Sequence, residues 1–321
     1  MKVFVAGATG AIGRQLVPML VERGHDVVAT TRSPEKAGAL RAMGSEPVIA
    51  DALDREGIVD AVVRAAPEAV VHQATALTGV FNLKHFSRTF EQTNRLRTLG
   101  TDHLLEGARA AGARRFVMQG FAGWPYAGRG QALATEEDPF ESSPPEEMRS
   151  TVDALRYLEA AVLDAEDLEG VVLRYGGFYG PGTSMGEGGA MVVGVRKRQI
   201  PIVGDGAGET SFLHVEDAAA ATVAALERGA TGVYNVVDDE PATAAEWIPE
   251  LAKATGAKPP WHVPVWLAKP LIGEAGVWVM TRARGATNAK AKAELGLALR
   301  YPTWRIGFRD GLSKHHRSIS A

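Results

Sequence analysis

Cysteine is missing altogether from these 321 residues. That excludes disulfides, a thiolate nucleophile and any cysteine-ligated metal. The eight histidines show no ligand spacing, so no metal site is expected, and His315-His316 read as a solvated pair. Charge of one sign is also scarce. The formal net charge is −3 and the isoelectric point about 6.3, which gives no electrostatic case for nucleic acid or an anionic membrane as partner. Long hydrophobic runs are absent. The most apolar late stretch, Val263 to Met280, is broken by Lys269, Pro270 and Glu274, too short and too charged to span a bilayer. No leader pattern precedes the opening Met1-Lys2-Val3-Phe4-Val5-Ala6, so a cytoplasmic protein is expected. Finally, no lysine occurs between Lys84 and Lys197.

What is there is glycine, 36 residues of it, and a regular alternation of short apolar runs with amphipathic stretches. The spacing predicts strands over Lys2–Ala6, Asp26–Thr31, Glu46–Ala50, Ala69–Gln73, Arg115–Gln119 and Gly170–Tyr175. It predicts helices over Ala11–Arg23, Pro34–Met43, Arg55–Ala65, Thr93–Ala111 and Glu146–Glu166. Continuous apolar strands alternating with helices imply an α/β fold, a doubly wound parallel sheet covered on both faces. Residues 122–145, rich in glycine, proline and acidic side chains, read as a surface loop. From Gly176 the units shorten. The expected organisation is a Rossmann-type domain over 1–175, with 212–240 returning to it, and a smaller substrate-binding lobe over most of 176–321.

The segment Gly7-Ala8-Thr9-Gly10-Ala11-Ile12-Gly13 lies between the first strand and the first helix. Gly7 allows the tight turn, Gly10 lets a pyrophosphate approach the backbone, and Gly13 lets helix and strand pack closely. The helix start then offers free N–H groups and a positive dipole end. This points to a dinucleotide. A carboxylate ending the second strand would hold a ribose 2′-hydroxyl. Here the strand ends Thr30-Thr31-Arg32-Ser33, with no carboxylate. Arg32 offers a guanidinium to a 2′-phosphate, with Ser33 as a neutral donor and Arg14 nearby, so NADP is the expected cofactor and NAD the alternative.

Several blocks together resemble the extended and atypical short-chain dehydrogenase/reductases, the group of NAD-dependent epimerases and dehydratases. They include the glycine loop, Val70-Val71-His72-Gln73-Ala74-Thr75, Asn94 with Gly100-Thr101, Leu173 to Gly182, Gly204-Asp205-Gly206, Phe212 to Ala218 and Gly232-Val233-Tyr234-Asn235-Val236. The resemblance covers nearly the whole chain. It implies that Asp51 and Ala52 lie by the adenine, that Gln73, Ala74, Thr75 and Gln119 border the cofactor, and that Tyr175, Gly176 and Phe178 sit beside the nicotinamide. It implies a cleft walled by Gly120, Trp124, Tyr126, Phe178, Tyr179 and Met185, less polar than a nucleotide sugar needs. It also implies a homodimer through the two long helices.

The family's reaction uses a Tyr and, four residues on, a Lys that lowers the phenol pKa. None of the six tyrosines has that partner; the fourth residue on is Gly130, Ala161, Tyr179, Thr183, Asp238 or Arg305. Matching Leu158-Glu159-Ala160-Ala161 to the family's helix places Thr151 at the Tyr position and Leu155 at the Lys position. Gln119 or Gly120 falls where the family has Ser. A threonine hydroxyl is a poor acid, so either another group supplies the proton or no proton is supplied. Tyr126 and Tyr179 are the candidate substitutes, with packing in the core as the plain alternative; His72 is read in the same way. Two functions follow: an NAD(P)-dependent oxidoreductase or epimerase/dehydratase-like enzyme acting on a small, fairly apolar carbonyl or hydroxyl compound, or a non-catalytic NADP-binding sensor.

Overall fold

The computed structural model describes residues 1–77, 82–126 and 132–313. Strands β1 (Lys2–Ala6), β2 (Asp26–Thr31), β3 (Glu46–Ile49), β4 (Ala69–His72), β5 (Arg115–Phe121) and β6 (Glu169–Tyr175) join the strand Gly232–Val236 in one seven-stranded sheet. From one edge the order is β3, β2, β1, β4, β5, β6 and then Gly232–Val236, every pair parallel. Alternate residues of β1 show why both faces must be covered. Val3 and Val5 point to one hydrophobic cluster, Phe4 and Ala6 to the other. Val3, Phe4 and Val5 each contribute roughly 1.5–3 kcal/mol by leaving water.

Helix α1 (Gly13–Glu22) and the helix Val215–Arg228 cover the first face through Leu16, Leu20, Ala218 and Ala221. The second face carries α3 (Arg55–Ala65), α5 (Thr101–Ala110) and α6 (Glu146–Leu163), with Ile58, Leu104, Leu155 and Leu158 inward. The short α2 (Ala37–Ala42) inserts Leu40.

The long helix expected from Thr93 starts earlier and is interrupted. Helix α4 (Phe86–Arg95) passes through a π-helical turn, Leu96–Gly100, into α5. The stretch 86–95 is polar except for Phe86 and Phe90, whose i, i+4 spacing buries a narrow stripe that a periodicity reading passes over. The Ala122–Pro145 segment also departs from a surface loop. Tyr126, Ala134 and Phe140 are buried, and Ala134 bridges to Ala286.

A third hydrophobic cluster contains Tyr179, Phe212, Trp247, Trp304 and Phe308. It is built on the paired strands Gly177–Tyr179 and Phe212–His214 and on the helices Ala244–Ala254 and Trp304–Asp310. The helix Val265–Thr281 kinks at Gly273, where φ is +73°. No helix among the described residues is long and apolar enough to cross a membrane.

Candidate functional site

The strand order reverses between β1 and β4, so their C-terminal ends open a crevice, the place where open parallel sheets hold ligands. Gly7 follows β1 with φ +90°, and a Cβ there would stand 2.5 Å from the Gln73 carbonyl carbon just past β4. A Cβ on Gly13 would meet the Ala8 carbonyl oxygen at 2.4 Å, so only glycine lets α1 start this close to the loop. Gly10, by contrast, is exposed and faces little protein. No side chain caps α1 at Ile12, and no acidic residue lies in its first turn, so its N–H groups and dipole are open to an anion. Thr9 and Ala11 flank that opening, the Thr9 carbonyl accepting from Arg14 Nε at 3.0 Å.

Around this cradle the other predicted residues are spread along strand ends. Arg32 is 62% exposed at the end of β2, with Asp51 beyond β3 at 3.8 Å. That distance is long for an ion pair, and an exposed pair of this kind is worth about 0–1 kcal/mol. The Ser33 N–H donates to Thr31 Oγ1 at 3.1 Å, and Ala52 is buried. Beyond β4, Gln73 donates from Nε2 to the Tyr175 hydroxyl at 3.1 Å, while its buried Oε1 has no partner among the described residues. A glycine cradle and an orphaned acceptor beside it fit a dinucleotide with its own donors. Ala74 and Thr75 continue the same edge, and the Ala74 N–H donates to His72 Nδ1 at 3.2 Å. His72 Nε2 meets the Leu96 carbonyl at 3.1 Å. Burial pushes this imidazole down to about 4, so it is a neutral strut between β4 and the π turn.

At the other end of the crevice, Gln119 and Gly120 lie on β5 beside Leu173 and Arg174 of β6. Tyr175 is fully buried, its hydroxyl 2.7 Å from Thr222 Oγ1, and its ring lies 5.5 Å from that of Phe178. Gly176 touches the Ser211 carbonyl so closely that a Cβ would clash. Trp124 packs edge-on against Phe86 and Phe90 and tilted against Phe121. The Trp278 indole N–H donates to the Trp124 carbonyl at 3.3 Å. Beside Trp278 a cavity of about 720 Å³ opens between residues 143–145 and the helix Val265–Thr281. Met185 bridges to Tyr179 rather than to this wall. Phe86, Phe90 and Trp278 were not anticipated; the paired phenylalanines at i, i+4 were the available signal.

Thr151 and Leu155 are both fully buried on α6. The Thr151 hydroxyl accepts from Asn94 Nδ2 at 3.0 Å, and Leu155 joins the apolar cluster. The two tyrosines expected as substitutes are turned inward. Tyr126 is fully buried; its hydroxyl donates to Asn235 Oδ1 at 2.5 Å and accepts from Arg174 Nη1 at 2.9 Å. Arg174 in turn holds Glu159 with two bonds, at 2.6 and 2.7 Å. Burial, partly opposed by Arg174, pushes the Tyr126 phenol up to about 12. Tyr179 packs between Phe212, His214 and Phe308, and a Cβ on Gly307 would coincide with its ring. Its hydroxyl has no partner among the described residues, and burial together with Asp238 and Asp217 raises its pKa.

The family model for the NAD dependent epimerase/dehydratase family matches residues 3–237. Over 308 residues the chain is 46% identical to a 3-diazoavenalumate denitrifying reductase of a Streptomyces species, covering 96% of this chain and 99% of that protein. It is 28% identical to a 2-alkyl-3-oxoalkanoate reductase of Stenotrophomonas maltophilia, over 80% of this chain and 76% of that one. Its fold is similar to the UDP-glucose 4-epimerase of Thermus thermophilus solved with NAD, with TM-score 0.74 and 24% identity over 97% and 98% of the two chains. With the cradle, the sheet order and these matches in agreement, the chain belongs to the NAD dependent epimerase/dehydratase family and is an NAD(P)-dependent oxidoreductase or epimerase-like protein of the extended short-chain dehydrogenase/reductase type.

Proposed function

We propose that this protein is an NADPH-dependent reductase that replaces a diazo group on an aromatic acid by hydrogen, releasing dinitrogen. The observation that carries this reading is a hydride site without a proton donor. Carbonyl reduction leaves an alkoxide that must be protonated. In this chain the Thr151 hydroxyl, which accepts from Asn94, is a poor acid, Leu155 offers no charge, and both candidate phenols are sealed in the interior. A diazonium needs no such acid. Hydride bonds to the ring carbon and the C–N bond breaks, its electron pair leaving with nitrogen as neutral N₂, so Ar–N₂⁺ plus NADPH gives Ar–H, N₂ and NADP⁺. The bound nicotinamide supplies the hydride. The chain supplies the phosphate cradle at Gly7–Gly13, the aromatic wall around Trp124 and the second lobe as cover. The full-length likeness to a denitrifying reductase of a diazo compound supports the same choice.

The test is isotopic. With NADPH deuterated at the transferred position and a 3-diazo aryl carboxylate, the expected product carries deuterium on the carbon that held nitrogen, with one N₂ per NADPH oxidised. Cofactor binding without NADPH consumption would overturn this reading in favour of a sensor.

Cofactor preference rests on Arg32. Its weak pair with Asp51 exchanges readily for a 2′-phosphate. Arg32→Ala is expected to weaken NADPH binding roughly tenfold or more while leaving NADH nearly unchanged, read from the two dissociation constants. Tighter NADH than NADPH binding in the unmodified protein would refute the preference.

The two tyrosines give a contrasting pair. Tyr179→Phe removes a hydroxyl with no partner, so both turnover and melting temperature should hold. Tyr126→Phe strands Asn235 and Arg174 and should lose about 1–3 kcal/mol in urea unfolding, with turnover kept at temperatures where the protein is folded. A hundredfold loss of turnover in either variant would identify the acid that this reading lacks. A homodimer is proposed through α6 and α5 with its preceding π turn, where Tyr157 and Leu99 are exposed, and sedimentation equilibrium decides it.

A further inference from the structure

Three arginines are buried among the described residues: Arg97, Arg174 and Arg284. Arg174 holds Glu159 at 2.6 Å and Arg284 holds Asp138 at 2.9 Å. Arg97, only 5% exposed, has no carboxylate within 4.0 Å among the described residues. Its one side-chain hydrogen bond there runs from Nη1 to Asn94 Oδ1, at a long 3.3 Å. Burial lowers its pKa only to about 10, so it stays a cation at neutral pH. A buried, unpaired charge is costly to keep, and a guanidinium has five donors to satisfy.

Its place is informative. Arg97 lies in the π turn Leu96–Gly100, a distortion that often marks a functional site. Asn94 links it to Thr151, the position where the family's acid would stand. Its Cζ is 5.8 Å from the centre of the Phe90 ring, which leads on to Trp124 at 6.2 Å. The cation thus sits between the reacting end of α6 and the aromatic wall.

We propose that Arg97 is the anion receptor of the cleft, binding the carboxylate of an aromatic acid whose ring packs against Trp124. This rests on the reading of the crevice as a substrate site but not on diazo chemistry. A planar fork that matches a carboxylate with two parallel hydrogen bonds would complete its donors and give the buried charge its counter-ion. An acid would then be bound in preference to its neutral amide.

The test uses the full chain loaded with NADP⁺, with cinnamate and cinnamamide as probes, read by tryptophan fluorescence and by melting temperature. Cinnamate is expected to bind at least tenfold more tightly than cinnamamide. Arg97→Gln should erase that ratio and Arg97→Lys keep part of it, with NADP⁺ affinity unchanged in both. Arg97→Met should melt at or above the temperature of the unmodified protein, because it removes an unpaired buried charge. Equal binding of acid and amide by the unmodified protein would overturn the proposal. So would an Arg97→Met protein that melts several degrees lower while cinnamate binding is unaltered, since the guanidinium would then be scaffold. Because the readout is equilibrium binding, failed diazo reduction with a preserved acid-to-amide ratio removes only the reaction. Diazo reduction without that ratio removes only the receptor.

Discussion

An aryl ketone sharing the substrate's carbon skeleton is expected to be reduced roughly 10²–10⁴-fold more slowly than the diazo compound, the factor a positioned general acid contributes. The comparison isolates one step. Both substrates would need the same cradle, the same wall and the same hydride, and they differ in what remains after transfer. The ketone leaves an alkoxide beside Thr151, whose hydroxyl already accepts from Asn94 and has Leu155, not an ammonium, one turn away. Neither candidate phenol is free to turn. Tyr126 is held from two sides by Asn235 and Arg174, and Tyr179 is enclosed by Gly307 and Phe308. The diazo compound leaves nothing that requires a proton. NADPH absorbance followed with each substrate at equal concentration measures the ratio. Equal rates would mean that an acid reaches the oxygen.

The largest effect on stability is expected at Arg174 and Glu159. The pair is almost fully buried, with 7% and 12% of the side chains exposed, and it lies under Tyr126 between β6 and α6. Arg174→Met would leave the Glu159 carboxylate buried without its cation and take a donor from the Tyr126 hydroxyl and the Glu136 carbonyl. A loss of about 3–5 kcal/mol in urea unfolding is expected, and a similar loss for Glu159→Leu. The double variant, with both charges replaced by apolar side chains, should recover most of it, because the cost lies in the orphaned charge rather than in the lost attraction. If the double variant loses the sum of the two single losses, the pair contributes through its geometry instead. Either way Tyr126 gains its role from this pair: it is clamped beneath the sheet edge rather than offered to a substrate.

How far the site could be read beforehand follows from how local its determinants are. The glycine-rich turn depends on neighbours within a few positions, so residue type and spacing were enough to place it between β1 and α1. The early start of α4 was hidden because its ten mostly polar residues bury only two apolar side chains, Phe86 and Phe90. Arg97 gave no signal at all, since a charged residue in a polar helix is usually solvated.

By itself, then, the sequence determined the alternation of strands and helices, the glycine-rich turn between β1 and α1, the lack of a carboxylate at the end of β2 and the lack of any Tyr-x-x-x-Lys spacing. Each of these is a matter of composition or of short-range backbone geometry. Only the tertiary structure decided where side chains point. Tyr126 turns inward because Asn235, 109 residues further on, and Arg174 meet its hydroxyl. Tyr179 turns inward because Gly307 leaves room for its ring. Arg97 is a buried cation because α4 packs on α6. Burial and hydrogen-bond partners across such distances are set by packing, which no local pattern encodes.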